Sequence, residues 1–184
     1  YNEQGQYLGS FHARDRILVI LSSGECYTTD FSDSIHIEEN LLRIEKNDSR
    51  KIWTTVYYDA DQKYHYIKRF SVEEDQKREN ILGDNPKNEL LLLTDTYYPR
   101  LLIGRKEKDG ELRTVEIDVE EFALVKSIRA RGKRIAPYLI DQVEELPPLK
   151  ESPIFEEVSE EPHGDEPEEE ADLFSSSSEE APTE

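Results

Sequence analysis

At 184 residues the chain is long enough to bury the core of one domain or a little more, and its formal net charge is −19. Of its 42 Asp and Glu, fourteen fall in residues 151–184, which hold no Lys or Arg; residues 1–150 thus carry 28 acids against 23 bases and are close to balanced. A single cysteine excludes an internal disulfide and a Cys-based zinc cluster, and no apolar run approaches the ~20 residues needed to span a bilayer.

A chain that starts at Tyr1 and contains no Met reads as a piece of a longer protein, and no signal peptide is visible. A cytoplasmic compartment is the expectation. Residues 1–10 are polar and Gly-containing, an entry strand or loop. Residues 17–31, ILVILSSGECYTTDF, predict a β-hairpin: a five-residue apolar arm buried on both faces, a turn at Gly24, and a return arm with Tyr27, Thr29 and Phe31 on one face. Cys26 in that arm reads as a small buried hydrophobe. Residues 35–46 fit either a short helix or an irregular outer strand. KIWTTVYY (51–58) predicts a strand, DADQK (59–63) a turn, and YHYIKRFSV (64–72) the return of a second hairpin. On that return Tyr64, Tyr66, Lys68 and Phe70 share one face, and His65, Ile67 and Arg69 the other.

Residues 73–88 are polar and read as a connector, helical in part. LLLLTDTYYPRLLIG (90–104) predicts a third hairpin, with Pro99 at an edge or bulge. Asp109-Gly110 is a strong turn signal ahead of LRTVEIDV (112–119), whose Val115, Ile117 and Val119 alternate to one side. Residues 122–128 read as another strand, followed by four bases around one glycine, Arg129 to Arg134. From Pro147-Pro148 onward the chain has too little apolar content to fold alone, so residues 147–184 read as a disordered acidic tail. Apolar arm, turn and aromatic arm recur every 35–50 residues or so, which suggests an all-β protein of propeller-like blades, with a plain antiparallel sandwich as the alternative. The expected division is a β body over 1–146, built of units at about 11–72 and 89–140 with a connector at 73–88.

RDRILVILSSGECYTTDF (14–31) resembles the blade-opening strand pair of the C-terminal domain found on the breakage–reunion subunit of bacterial type IIA topoisomerases. FALVKSIRARGKRIAPY (122–138) resembles the basic loop and strand of the same family. The resemblance is nearest to the breakage–reunion subunit of topoisomerase IV of the Bacteroidetes type and spans most of residues 1–150. The glutamine- and glycine-rich basic box that lets gyrase wrap DNA is absent. The later hairpins also lack the Ser/Thr-x-x-Gly turn, which favours a topoisomerase IV-like domain over a gyrase-like one. The resemblance implies an incomplete β-pinwheel that binds and bends duplex DNA while the holoenzyme uses ATP and magnesium elsewhere. It implies as partners duplex DNA, the remainder of the breakage–reunion subunit and the separate ATPase subunit, at the cytoplasmic nucleoid and without a membrane.

The residue chemistry agrees with an accessory role. The chain has ten tyrosines but no Arg-Tyr dipeptide and no Walker-type Gly-Lys-Ser/Thr loop, so no catalytic residue and no bound cofactor are expected in it. Phosphate contacts would need Lys and Arg without base reading. The candidates are Lys63, Lys68, Arg69, Arg100, Arg105, Lys126, Arg129, Arg131, Lys133 and Arg134, with Gly132 letting backbone N–H groups approach a phosphate. Four scattered histidines without i,i+4 pairing make a metal site unexpected, and Glu38-Glu39 and Glu120-Glu121 read as solvated faces. A protein–protein interaction module without DNA binding and, more remotely, a hydrolase on a β scaffold are the alternatives.

Overall fold

A computed structural model describes residues 7–31, 36 and 38–156. The expected disorder of the acidic tail falls mostly on residues outside these. Two compact units divide the chain, Tyr1–Ile154 and Phe155–Glu184. The first is all-β, with three antiparallel sheets, none of them closed.

The apolar arm at the start becomes β1 (Arg16–Leu21), paired with β2 (Glu25–Asp30) in the expected hairpin and flanked by β3 (Leu41–Lys46). The helix-or-strand ambiguity over β3 is thereby resolved as an outer strand. The second hairpin is β4 (Trp53–Asp59) and β5 (Tyr64–Phe70), paired from Trp53↔Phe70 to Asp59↔Tyr64. Its turn is closed by the Asp59 carboxylate, which accepts from the backbone N–H groups of Asp61 and Gln62. The connector holds no helix but a two-residue strand, β6 (Glu79–Asn80), which pairs with β2.

The third expected hairpin is corrected. Its arms, β7 (Glu89–Thr94) and β8 (Arg100–Lys106), belong to different sheets: β7 pairs with β4, and β8 pairs with β9 (Leu112–Asp118). Pro99 has no N–H to continue a ladder; its carbonyl instead accepts from Val119 N–H, at the point where the chain crosses between sheets. The Asp109-Gly110 turn does join β8 to β9, as expected. The strand expected over 122–128 is corrected too. Asp118 caps the N–H of Glu120 and starts one helical turn, α1 (Val119–Phe122). Beyond it only an isolated parallel bridge, Arg69↔Val125, touches a sheet. β10 (Lys133–Arg134) then pairs with β5, and β11 (Gln142–Leu146) with β8.

The sheets are thus β3-β1-β2-β6, β10-β5-β4-β7 and β11-β8-β9. They share two cores. Leu18, Ile20 and Cys26 of the first sheet meet Trp53, Tyr57, Tyr66 and Phe70 of the second, and Val56 and Ile67 from the opposite face of the second meet Leu101, Ile103 and Ile117 of the third. The middle sheet is therefore covered on both sides. At about 1.5–3 kcal/mol per fully buried apolar side chain, these two layers supply the main cohesion of the unit. Ile17, Val19 and Leu21 point the other way from β1, into a smaller cluster with Phe11, Tyr27, Leu41 and Ile44.

Candidate nucleic-acid interface

The covered middle sheet decides the fate of two candidate cations. Lys68 is 2% exposed and faces the first core, where its Nζ donates to the carbonyls of Ile81 (2.7 Å) and Ile128. Burial pushes its ammonium down to about 8. Arg69, 5% exposed, faces the second core and donates to the carbonyls of Ala123 and Tyr97, both at 3.2 Å. Neither reaches solvent, so neither can meet a phosphate; both tie β5 to the connections that cross it. Alternation along β5 places these residues on opposite faces, but it does not show that both faces are covered.

The loop from Arg129 to Arg134 is built against β4 and β5. Ser127 accepts from the N–H of Arg129 at 3.1 Å, and the Tyr57 hydroxyl donates to the Arg131 carbonyl at 2.6 Å. That hydroxyl's pKa is raised by burial and by the neighbouring Asp59 carboxylate. Gly132 has φ +91°, and a Cβ there would collide with the Ile67 carbonyl and lie 2.9 Å from Lys68 Cβ. The glycine is thus needed for the loop's close passage over β5, an internal reason in place of the phosphate approach expected of it. Lys133 and Arg134 then pair with Ile67 and Tyr66, and Ile135 N–H donates to the His65 carbonyl at 2.9 Å.

The surface cations fall into two electrostatic classes. Arg129 is paired with Glu79, its Nε donating at 2.9 Å, and Arg131 lies 3.0 Å from the nearly buried Asp59 carboxylate. Arg100 sits 3.6 Å from Glu116. Elsewhere Arg16, Arg43 and Arg78 are likewise held by acids, so much of the positive charge beside the first sheet is already matched. By contrast, Lys133 stands over the Phe122 ring at 4.4 Å, Arg134 over Tyr64 at 4.6 Å and Arg105 over Tyr138 at 4.1 Å. Among the described residues none of these three makes an ion pair. A ring attracts an exposed cation by only about 0.5–1 kcal/mol and leaves its charge uncompensated, whereas an ion-paired arginine must first give up a carboxylate. Lys63 and Lys126 are also exposed, the first on the β4–β5 turn and the second on a segment where its own N–H donates to the Arg69 carbonyl.

Sequence reasoning missed the ring platforms Tyr64, Phe122 and Tyr138; two stand far along the chain from their cations and Phe122 reaches Lys133 only through the loop between them, so no strand or helix spacing marks them. Tyr57 and Tyr66 pack on each other, their rings 5.9 Å apart across β4 and β5. Among the described residues no group of three His, Cys, Asp or Glu is placed to hold a metal ion. None of their helices is long and apolar enough to cross a membrane.

A family model described as the topoisomerase C-terminal domain of Bacteroidota matches residues 1–147. No curated protein and no solved structure matches the chain. The matched span takes in all three sheets and the whole 129–134 loop, and on that coverage the chain belongs to the bacterial topoisomerase C-terminal domain family.

Proposed function

We propose that this domain holds duplex DNA by its phosphates, as a non-catalytic accessory that helps a topoisomerase IV-like enzyme capture, bend and orient the segment it transports. The observation that carries this is that Lys133, Arg134 and Arg105 are each backed by a ring and, among the described residues, make no ion pair. Lys126 and Lys63 are further exposed candidates; Arg129, Arg131 and Arg100 are secondary because each is already paired. In this reading the three sheets, which exchange short strands, are blades of a propeller-like β-pinwheel array. The remainder of the breakage–reunion subunit and the ATPase subunit complete the enzyme, in the cytoplasm at the nucleoid, and ATP and magnesium act there and not in this domain.

Filter binding of a duplex to the 184-residue chain over a salt series tests the proposal. Affinity is expected to fall steeply with salt and to depend little on sequence. The double variant Lys133→Gln, Arg134→Gln should reduce the salt slope by about 1.8, since each lost phosphate contact removes about 0.9. Arg129→Gln should change it less. Absence of retention even at low salt, or a double variant that binds like the wild type, would overturn the assignment.

A further inference from the structure

Two of the three hairpins carry a short extra strand on their second arm. β6, which follows β5, completes the sheet of β2, and β10, which follows β9, completes the sheet of β5. On the opposite side the three hairpins match: β3 lies beside β1, β7 beside β4 and β11 beside β8. The third hairpin alone lacks the extra strand, and among the described residues no backbone hydrogen bond reaches the outer edge of β9. Glu107 N–H donates to the Glu111 carbonyl at 2.8 Å, which fixes the alternation of the β8–β9 ladder. Leu112, Thr114 and Glu116 therefore turn their N–H and C=O groups outward. The side chains from Leu112 to Glu116 are all exposed; Val115 is 56% exposed although it pairs with the buried Ile103.

The two seated strands share a chemistry. Arg78, just ahead of β6, lies 3.1 Å from Glu25 of the first hairpin, and Arg131, just ahead of β10, lies 3.0 Å from Asp59 of the second. An isoleucine follows each strand. Ile81 N–H donates to the Gly24 carbonyl at 2.8 Å and Ile135 N–H to that of His65 at 2.9 Å, and both side chains enter the cores. The third hairpin has acids at its tip as well: Asp109 and Glu111, and Glu107, which lies 3.8 Å from Arg113 of the same hairpin.

We infer that the outer edge of β9 docks an extended strand with an arginine ahead of two or three residues and an isoleucine behind them, contributed by another part of the topoisomerase that carries this domain. Main-chain bonds to Leu112, Thr114 and Glu116 supply the pairing, the tip carboxylates receive the arginine, and an apolar residue covers Val115. The segments at Arg78 and Arg131 are already seated on their own hairpins, and the other stretches with this spacing, which begin at Arg14, Arg16, Arg100 and Arg113, run into or lie in β1, β8 and β9, so the strand is assigned to another part of the enzyme. The inference rests on membership of the family and is independent of DNA binding.

Amide hydrogen exchange over residues 112–118, in the 184-residue chain and in the complete topoisomerase, tests it. The amides of Leu112, Thr114 and Glu116 should exchange freely in the chain and at least ~10-fold more slowly in the enzyme, while those of Arg113 and Val115 are protected in both. Thr114→Pro deletes one outward N–H and leaves the β8 ladder intact, so it should restore fast exchange at Leu112 and Glu116 in the enzyme. Glu111→Lys should do the same by repelling the incoming arginine, without altering the strand itself. Equal exchange in chain and enzyme overturns the inference. Protection in the chain alone that grows with its concentration does so as well, by making a second copy the occupant. Protection in the enzyme that survives both variants also overturns it, because the edge is then masked by some other surface.

Discussion

Lys68→Met isolates the cost of holding an ammonium between the first and second sheets. Burial moves Lys68 from its ordinary 10.5 to about 8, a displacement worth about 3 kcal/mol at ~1.36 kcal/mol per pH unit. The unfolded chain keeps this proton up to about 10.5, while the folded chain gives it up near 8. Folding therefore releases a proton between these values, and stability should rise with pH across that window and be flat below it. The methionine variant abolishes this rise but leaves the Ile81 and Ile128 carbonyls without their donor, at a cost of about 1–3 kcal/mol each. Near pH 7 the two effects oppose each other, so a single midpoint decides nothing, whereas the pH dependence does. Urea melts of both proteins at pH 7, 8, 9 and 10 should show the difference in stability, wild type minus variant, growing by up to about 3 kcal/mol. Cys26, pushed up to about 12 by burial, and Tyr57, also raised, act in the opposite direction because the unfolded thiol and phenol ionise first. Tyr57 is common to both proteins and cancels in the difference; Cys26 is held down slightly by the Lys68 charge, but in either protein its folded thiol stays protonated up to pH 10, so it cancels over this range as well. Parallel curves would refute the reasoning and show that the two carbonyls keep the ammonium charged in spite of its burial.

Three further outcomes are expected. Val19→Asp, which places a carboxylate among Tyr27, Leu41 and Ile44, should cost about 3–5 kcal/mol or abolish the cooperative melt; an unchanged midpoint would put β1 at the surface. Gly132→Ala forces a positive φ on a residue with a Cβ and drives that Cβ into β5, so a loss of about 1–3 kcal/mol should appear in the same melts, and a neutral result would mean the loop can lift off. His65 is held neutral by burial, and its Nδ1 accepts from Ile140 N–H at 3.2 Å. Because its pKa is lowered on folding, stability should fall as pH drops below the ordinary 6.5, and His65→Gln should lose that part of the acid sensitivity; identical acid profiles would contradict the assignment.

The first two hairpins were legible because each joins two uninterrupted β-rich runs across a short polar turn, a pattern that local preference and tertiary packing both satisfy. Residues 90–104 offered the same local pattern, yet Pro99 and Val119 carry the second arm into another sheet, a choice made by the long-range partners β4 and β9. β6 and β10 were illegible for a different reason. Two residues carry no periodicity, and their pairing is set by Arg78 and Arg131 finding acids on hairpins remote in the chain. The candidate interface was half legible. The Arg129–Arg134 cluster stands out as a run of charge, but which of its members keep their charge depends on Glu79, Asp59, Phe122 and Tyr64. Spacing within the run could not separate them.

The passing of a short strand back to the preceding sheet also bears on how the chain is made. A ribosome delivers β1, β2 and β3 together, but the slot beside β2 stays vacant until Glu79 and Asn80 have emerged, and the slot beside β5 until Lys133 and Arg134 follow. The first and the second hairpin must each wait for the next one to be synthesised before their own edges are closed. The nascent domain therefore matures in steps that lag one hairpin behind translation, with the edges of two successive hairpins open until the later one passes its short strand back.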